Sequence, residues 1–320
     1  MSAKKLAIVT PVYNRACELK NLYESLKTQT VDDFVWYLVD DGSTDNSWSV
    51  IQDIANLAHF QVKCFHKNNG GKHTALNYVM KYINEELTFI VDSDDSLPDD
   101  SVDTILSSFN SISDAFGLCG ISFLREMSNS PRQDYFPVDG LRGSYMDVRV
   151  NGEVVGDKAE VYFTKCLLEE PFPEFDGERF YHEDGVWVRL SAKYEMVHLN
   201  KIVYKGEYLE GGLTNNGRQM KLGSPVGMCD RSAQFLGYPG RVILKERIKH
   251  AILWDVYSAI ALSEGKELPC ACPASALCTL LSPIAFVLRH KWIGSNLNKD
   301  QSVCLPSAGN SDARNSPKSN

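Results

Sequence analysis

The sequence predicts an α/β fold: a mostly parallel sheet with helices on both faces, followed by a C-terminal helical extension. Three observations carry that prediction. Through the first hundred residues, short apolar runs alternate with stretches of helical periodicity. Three of the first four apolar runs end in polar or acidic residues, and sheets of this kind bind ligands at the carboxyl ends of their strands. Beyond residue 216 the pattern is helical.

The first strand is Leu6-Ala7-Ile8-Val9, which stops at Thr10-Pro11. Leu19, Leu22, Tyr23 and Leu26 then recur at helical spacing. Trp36-Tyr37-Leu38-Val39 gives the second strand, closed by Asp40-Asp41-Gly42, with a helix opened by Ser43 or Thr44. Val62 to Phe65 forms a third strand. Gly70-Gly71 opens a helix carrying Ala75, Leu76, Val79, Met80 and Ile83. The fourth strand, Leu87-Thr88-Phe89-Ile90-Val91, ends in Asp92-Ser93-Asp94-Asp95. Asn151-Gly152, between Met146–Val150 and Glu153–Val155, predicts a hairpin with a type I′ turn. Helices are expected near 160–169, 185–193, 217–236 and 241–263, and the glycines of 205–217 mark a mobile loop.

Composition narrows the function classes. The chain has 320 residues and a net charge of −8, which excludes a nucleic-acid coat, because phosphate backbones need clustered Lys and Arg. An acidic protein that binds an anionic nucleotide needs a local device, such as a divalent cation or a helix N-terminus. Nine cysteines, from Cys17 to Cys304, follow no repeating frame and read as reduced thiols. Lys4 and Lys5 precede a strand rather than a long apolar core, so no signal peptide is expected and the reading is cytoplasmic.

The acidic strand ends carry the chemistry. Asp92, Asp94 and Asp95 repel one another unless a cation or hydrogen-bond donors compensate. Carboxylates of this kind suit Mg²⁺ or Mn²⁺, which also take water and substrate phosphates; the alternative is an acidic turn capping the next helix. Asp41 can accept from a base N–H or a ribose hydroxyl, or cap a helix. Lys72, after Gly70-Gly71, puts a cation and bare backbone amides at a helix start, which suits a phosphate, although the phosphate-loop spacing is absent. Asp184 follows a long loop and opens a helix, where the dipole favours its ionised form.

As an ordered set, these segments are more specific than any one of them. Thr10-Pro11-Val12-Tyr13-Asn14-Arg15, Val39-Asp40-Asp41-Gly42-Ser43-Thr44-Asp45, Gly70-Gly71-Lys72, Asp92-Ser93-Asp94-Asp95 and Glu183-Asp184 resemble family 2 of the glycosyltransferases over residues 4–210. The stretches 156–161 and 171–175 are similar to a bacterial subgroup tied to surface polysaccharides. The resemblance implies a GT-A type, Rossmann-like fold. It implies a catalytic domain over 1–215, with a nucleotide-sugar half at 1–115 and an acceptor half at 116–215. Thr10 and Tyr13 would line the base pocket, Asp41 would bond the base edge, Lys72 would lie near the base or diphosphate, and Asp92 would reach the ribose. Asp94, with Asp95, would bind Mn²⁺ or Mg²⁺, and Asp184 would be the base. The implied reaction moves a sugar, with inversion, from a nucleoside-diphosphate sugar, UDP-linked by expectation, to a saccharide or lipid-linked saccharide. A phosphatase fits poorly, since the acidic cluster follows the fourth strand rather than the first, and a nucleotidyltransferase fits poorly, since Thr10–Arg15 stands where a Gly-rich, Arg-containing loop would be expected. A nucleotide-sugar-binding protein without turnover is the other alternative.

Residues 216–293 are expected to be a helical region. Leu244, Ile248, Ile252, Val256 and Ile260 lie on one side of 241–263. The 268–288 stretch has no charge but is broken by Pro269, Pro273 and Pro283, and is followed by Arg289, Lys291 and Trp292. It predicts either peripheral contact through 241–292 with the inner face of the cell membrane, or a buried helical hairpin. Residues 294–320 are polar and are expected to form a disordered tail.

Overall fold

A computed structural model describes residues 5–112, 114–127, 134–206 and 213–303. Its centre is one sheet built from β1 (Leu6–Val12), β2 (Phe34–Asp40), β3 (Gln61–His66), β4 (Leu87–Ile90), β5 (Leu118–Met127), β6 (Leu141–Gly143), β7 (Lys158–Phe163) and β8 (Glu195–Gly206). The strand order is β3-β2-β1-β4-β7-β5-β8-β6. The β3-β2-β1-β4 half is parallel throughout. Antiparallel β7 separates it from β5, which pairs parallel with β8.

The alternation of β1 explains the layers. Leu6, Ile8 and Val12 face one core with α1 (Leu19–Lys27), α2 (Ser47–Leu57) and α4 (Ser101–Asn110). Ala7 and Val9 face a second core with α3 (Lys72–Met80), α5 (Thr164–Glu169) and α6 (Asp184–Ser191). Strands buried on both faces read as continuous apolar runs, which is why β1, β2 and β4 were legible.

The middle of the chain departs from expectation. Met146–Asn151 is a turn of π-helix and not the first arm of a hairpin. The Asn151 side chain is engaged elsewhere: its amide donates to the Arg241 carbonyl (2.8 Å) and its oxygen accepts the Ile243 N–H (3.0 Å). That tertiary pairing outweighs the local turn preference. Only the second part of the helix expected near 160–169 is helical, because 158–163 is β7, with Ala159 and Val161 in one core and Tyr162 in the other.

The C-terminal helices are α7 (Leu213–Leu222), α8 (Pro225–Leu236), α9 (Leu244–Ser263) and α10 (Ser275–Val303). The helix expected over 217–236 is divided at Gly223-Ser224-Pro225, with proline at the start of α8. Of the loop expected over 205–217, residues 207–212 lie outside the described residues, while β8 runs to Gly206 and α7 begins at Leu213. α10 is a single helix rather than a hairpin, with Pro283 inside it, and its backbone continues past 293 to Val303. Residues 304–320 lie outside the described part. Among the described residues eight cysteines are free thiols.

Candidate active site

The site forms at the carboxyl ends of β1, β2 and β4, where the turns converge on the start of α6. Thr10 is fully buried and its hydroxyl accepts the Trp36 indole N–H (3.0 Å). Thr10 was expected to line the base pocket; its side chain packs in the core beneath the turn. Tyr13 is exposed at the rim. Asn14 takes a left-handed conformation (φ 52°), and its side-chain oxygen accepts the Thr44 and Asp45 N–H groups. The β1 and β2 turns are thereby joined.

Asp41 is almost fully buried and already occupied. Lys67 Nζ reaches it at 2.7 Å, and the Gly70 and Gly71 amides donate to it at 3.0 and 2.7 Å. The amides expected to be bare for a phosphate are therefore committed to Asp41, which shapes the 67–71 loop. Gly71 has to be glycine here: its φ is +94°, and a Cβ would collide with the Arg179 carbonyl. Lys67 was not singled out from the sequence, because a lysine before Asn-Asn-Gly-Gly reads as a surface charge.

Lys72 is the hub. Its Nζ lies 2.6 Å from Asp92 and 2.7 Å from Glu183, tying the end of β4 to the residue that precedes α6. Burial opposes charge on Lys72, but the two carboxylates outweigh it and hold the ammonium well above its ordinary range. Burial likewise raises Asp92, and Lys72 overcomes this so that the carboxyl stands below its usual value.

The acidic cluster divides by surroundings. Asp95, expected beside Asp94 as a metal ligand, is buried; Arg125 donates to both its oxygens (3.0 and 2.9 Å) and the Tyr204 hydroxyl donates at 2.7 Å. Asp94 remains partly exposed, with Arg15 3.9 Å away. Among the described residues no group of three or more His, Cys, Asp or Glu side chains is arranged as a metal cage. The donor set nevertheless fits Mg²⁺ or Mn²⁺ held by one or two carboxylates and completed by substrate phosphates and water. Arg125 and Tyr204 had no signal in the sequence, because their partner is some thirty residues or more away across β5 and β8.

Beside Lys72 opens a small recess of about 60 Å³, lined by Asp92, Arg125, Glu160, Glu183, Trp187 and Tyr204, among others. Trp187 stacks on Tyr162 with ring centroids 4.6 Å apart. Asp184 sits at the head of α6, its side chain 13% exposed, gripped by Arg231 Nε and Nη2 at 2.5 Å each. His182 Nδ1 lies 2.8 Å from the same carboxylate. Burial would raise the Asp184 carboxyl; Arg231 and then His182 reverse this and hold it far below the usual carboxylate range.

Residues 7–147 match the model of glycosyl transferase family 2. This segment is a family 2 glycosyltransferase domain. The chain is 34% identical over 101 residues to glycosyltransferase GlyG of Streptococcus pneumoniae, covering 31% of this chain and 33% of that protein. It is 24% identical over 234 residues to a GalNAc(5)-diNAcBac-PP-undecaprenol beta-1,3-glucosyltransferase of Campylobacter jejuni, covering 68% and 71%. The match spans no more than about a third of the first three curated relatives. Among solved structures, TarS of S. aureus in complex with UDP-GlcNAc superposes with a TM-score of 0.57 at 17% identity, over 81% of this chain and 73% of that one. A mannosyltransferase of Pyrobaculum calidifontis, with GDP-Man and Mn²⁺, gives 0.54 at 14% identity, over 94% and 88%. These likenesses establish that the family 2 domain has the GT-A type fold.

Proposed function

We propose that the chain is an inverting glycosyltransferase of bacterial surface-polysaccharide synthesis, moving a sugar from a UDP-linked donor to an acceptor hydroxyl. The observation that carries this reading is Lys72, which bridges Asp92 and Glu183 and so joins the donor-side strand ends to the carboxylate pair at the head of α6. Tyr13 at the rim and Asp92 face the nucleotide, with Lys72 beside the diphosphate. Asp94 would hold the divalent ion, and Asp95 supports the turn from behind. When bound, the ion would supply positive charge against the diphosphate. Asp184 takes the proton of the acceptor hydroxyl, a contribution of about 10²–10⁴ in rate. The hydroxyl oxygen attacks the anomeric carbon from the side opposite the departing diphosphate, so configuration inverts. Asp41 acts through the 67–71 loop, and Thr10 through the packing of β1 and β2. The UDP-GlcNAc and Mn²⁺ complexes of the structural neighbours support a nucleotide-sugar donor and a divalent ion.

The test is UDP release from a panel of UDP-sugars, with Mn²⁺ or EDTA and a bacterial membrane extract as acceptor source. The expected outcome is metal-dependent release from one donor, with Mn²⁺-dependent UDP binding lost in Asp94→Ala. Release from no donor by folded protein, or UDP affinity indifferent to EDTA, would sink the reading.

A lipid-linked acceptor and contact with the cytoplasmic membrane face belong to the same proposal. α10 is long and apolar enough over Ser275–Ile293 to cross a membrane, by length and composition, and only 11% of that stretch is buried. Cys278 and Ala285 pack inward, while Leu280, Ile284 and Val287 form an exposed stripe that ends at Lys291. An apolar stripe with a cationic end suits an anionic lipid surface. Sedimentation with phosphatidylglycerol vesicles should be lost in an Ile284→Asp, Val287→Asp double variant. Equal sedimentation of both proteins would remove the membrane contact.

A further inference from the structure

The segment leading into Asp184 is laid along α8 by a series of contacts. Glu178, buried, accepts the Val226 and Gly227 N–H groups at 2.8 Å each, capping the start of α8. The Phe180 N–H donates to Ser224 Oγ (3.1 Å), and the Tyr181 hydroxyl donates to Asp230 (2.8 Å). At the next position of α8, Arg231 meets Asp184 with both arms of its guanidinium. Arg231 is itself 7% exposed, and among the described residues its ion pair is with Asp184. Phe235 covers it at 5.4 Å.

A fork of this kind fixes the plane of a carboxylate as well as its place. An ionised carboxylate offers about four lone-pair positions. Arg231 takes two, His182 lies against a third, and one remains to receive a proton.

We infer that Arg231 is a positioning residue for the transfer reaction: from α8 it fixes both oxygens of Asp184 and so sets how that carboxylate meets the acceptor hydroxyl. The inference rests on the reading of Asp184 as the base. In the step it serves, the hydroxyl proton passes to Asp184 and the hydroxyl oxygen bonds to the anomeric carbon. The anomeric carbon–diphosphate bond breaks, and UDP leaves with the bonding pair. Arg231 acts through Asp184 and makes no contact of its own with donor or acceptor in this step. Its consequence is that α8, beyond the segment matched by the family model, is part of the catalytic apparatus.

The test is steady-state UDP release by the full chain, with Mn²⁺, from the UDP-sugar that the donor panel identifies. Wild type is compared with Arg231→Gln, Arg231→Lys and Asp184→Asn across pH, with thermal melting alongside. Arg231→Gln should lower kcat by about 10²-fold, the scale of a misplaced catalytic group. Donor KM should stay within about threefold, because the interaction acts in the transition state. The acid limb of the kcat profile should move up in pH, since Asp184 stays buried without its cation. Arg231→Lys keeps the charge but not the fork, so it should restore the acid limb and only part of kcat. Folded Arg231→Gln with wild-type kcat and acid limb, beside inactive Asp184→Asn, would overturn the role of Arg231 and leave Asp184 as base. Wild-type turnover by Asp184→Asn would instead overturn the base itself. Loss of the melting transition in both Arg231 variants would assign the residue to stability and overturn the proposal as well.

Discussion

Asp41, buried, and Asp184, partly buried, are both carboxylates near the ends of the sheet, and they are held in different ways. Asp41 is enclosed by its own neighbourhood: Lys67, Asn69, Gly70 and Gly71 follow within 30 residues and supply an ammonium, a side-chain amide and two backbone amides. Asp184 is held by Arg231, 47 residues on and in the helical extension. The first arrangement shapes a loop. The second leaves a carboxylate with an open position at the head of a helix. Burial and pairing alone therefore do not mark a base; what distinguishes the two is whether the donors use up the carboxylate.

Exchanging each for its amide should separate them most widely. Asp184→Asn should lower transfer by about 10²–10⁴, with some loss of melting temperature because Arg231 loses its anion. Asp41→Asn should lower the melting temperature with much the smaller loss of turnover. Equal losses of turnover with unchanged melting, measured by UDP release and thermal denaturation, would break the comparison. Removing the Asp41 side chain sharpens it. Asp41→Ala strands the Lys67 ammonium and two amides, and should cost about 3 kcal/mol in denaturant unfolding. A loss under about 0.5 kcal/mol, the range of ordinary surface substitutions, would show that the 67–71 loop does not depend on this carboxylate.

Acid should expose a smaller difference between the two halves of the chain. His198 in β8 and His250 in α9 are fully buried, and burial lowers them to about 4 and about 2. A histidine that is neutral when folded and protonated when unfolded contributes stability above its ordinary value. That contribution is lost as pH falls from about 6.5 through the folded value, at up to about 1.4 kcal/mol per pH unit for each. The Asp184–Arg231 pair behaves differently. The Asp184 carboxyl is depressed, so its contribution persists above its ordinary value of 3.8 and is lost only as pH falls further. Stability between pH 6.5 and 4 should therefore decline through the histidines, and His198→Phe should flatten part of that slope. An unchanged slope would move the acid sensitivity elsewhere.

Legibility followed the range of the interactions. β1, β2 and β4 stood out because strands buried on both faces are uninterrupted apolar runs, and their acidic ends followed directly. The hairpin expected at Asn151-Gly152 failed because the Asn151 side chain is spent on Arg241 and Ile243. β7 was hidden inside a segment read as helix: inserted between β4 and β5 and buried on both faces, it owes its strand state to its neighbours. Of the candidate site, the presence of Asp41, Lys72, Asp92, Asp94 and Asp184 was legible, since runs of like charge at strand ends need an explanation. Their partners were not, because Arg125, Tyr204 and Arg231 lie in sequence contexts that give no sign of a carboxylate partner.

By itself, the sequence determined the layered α/β fold and the family of its first half, because apolar periodicity and strand-end residue types are local properties of the chain. The tertiary structure alone decided how the acids divide their work. Asp95 belongs to Arg125 and Tyr204, Asp41 to the 67–71 loop and Asp184 to α8, while Asp94 stays partly exposed. The physical reason is that a carboxylate's role depends on which donors reach it, and packing brings most of those donors from distant parts of the chain.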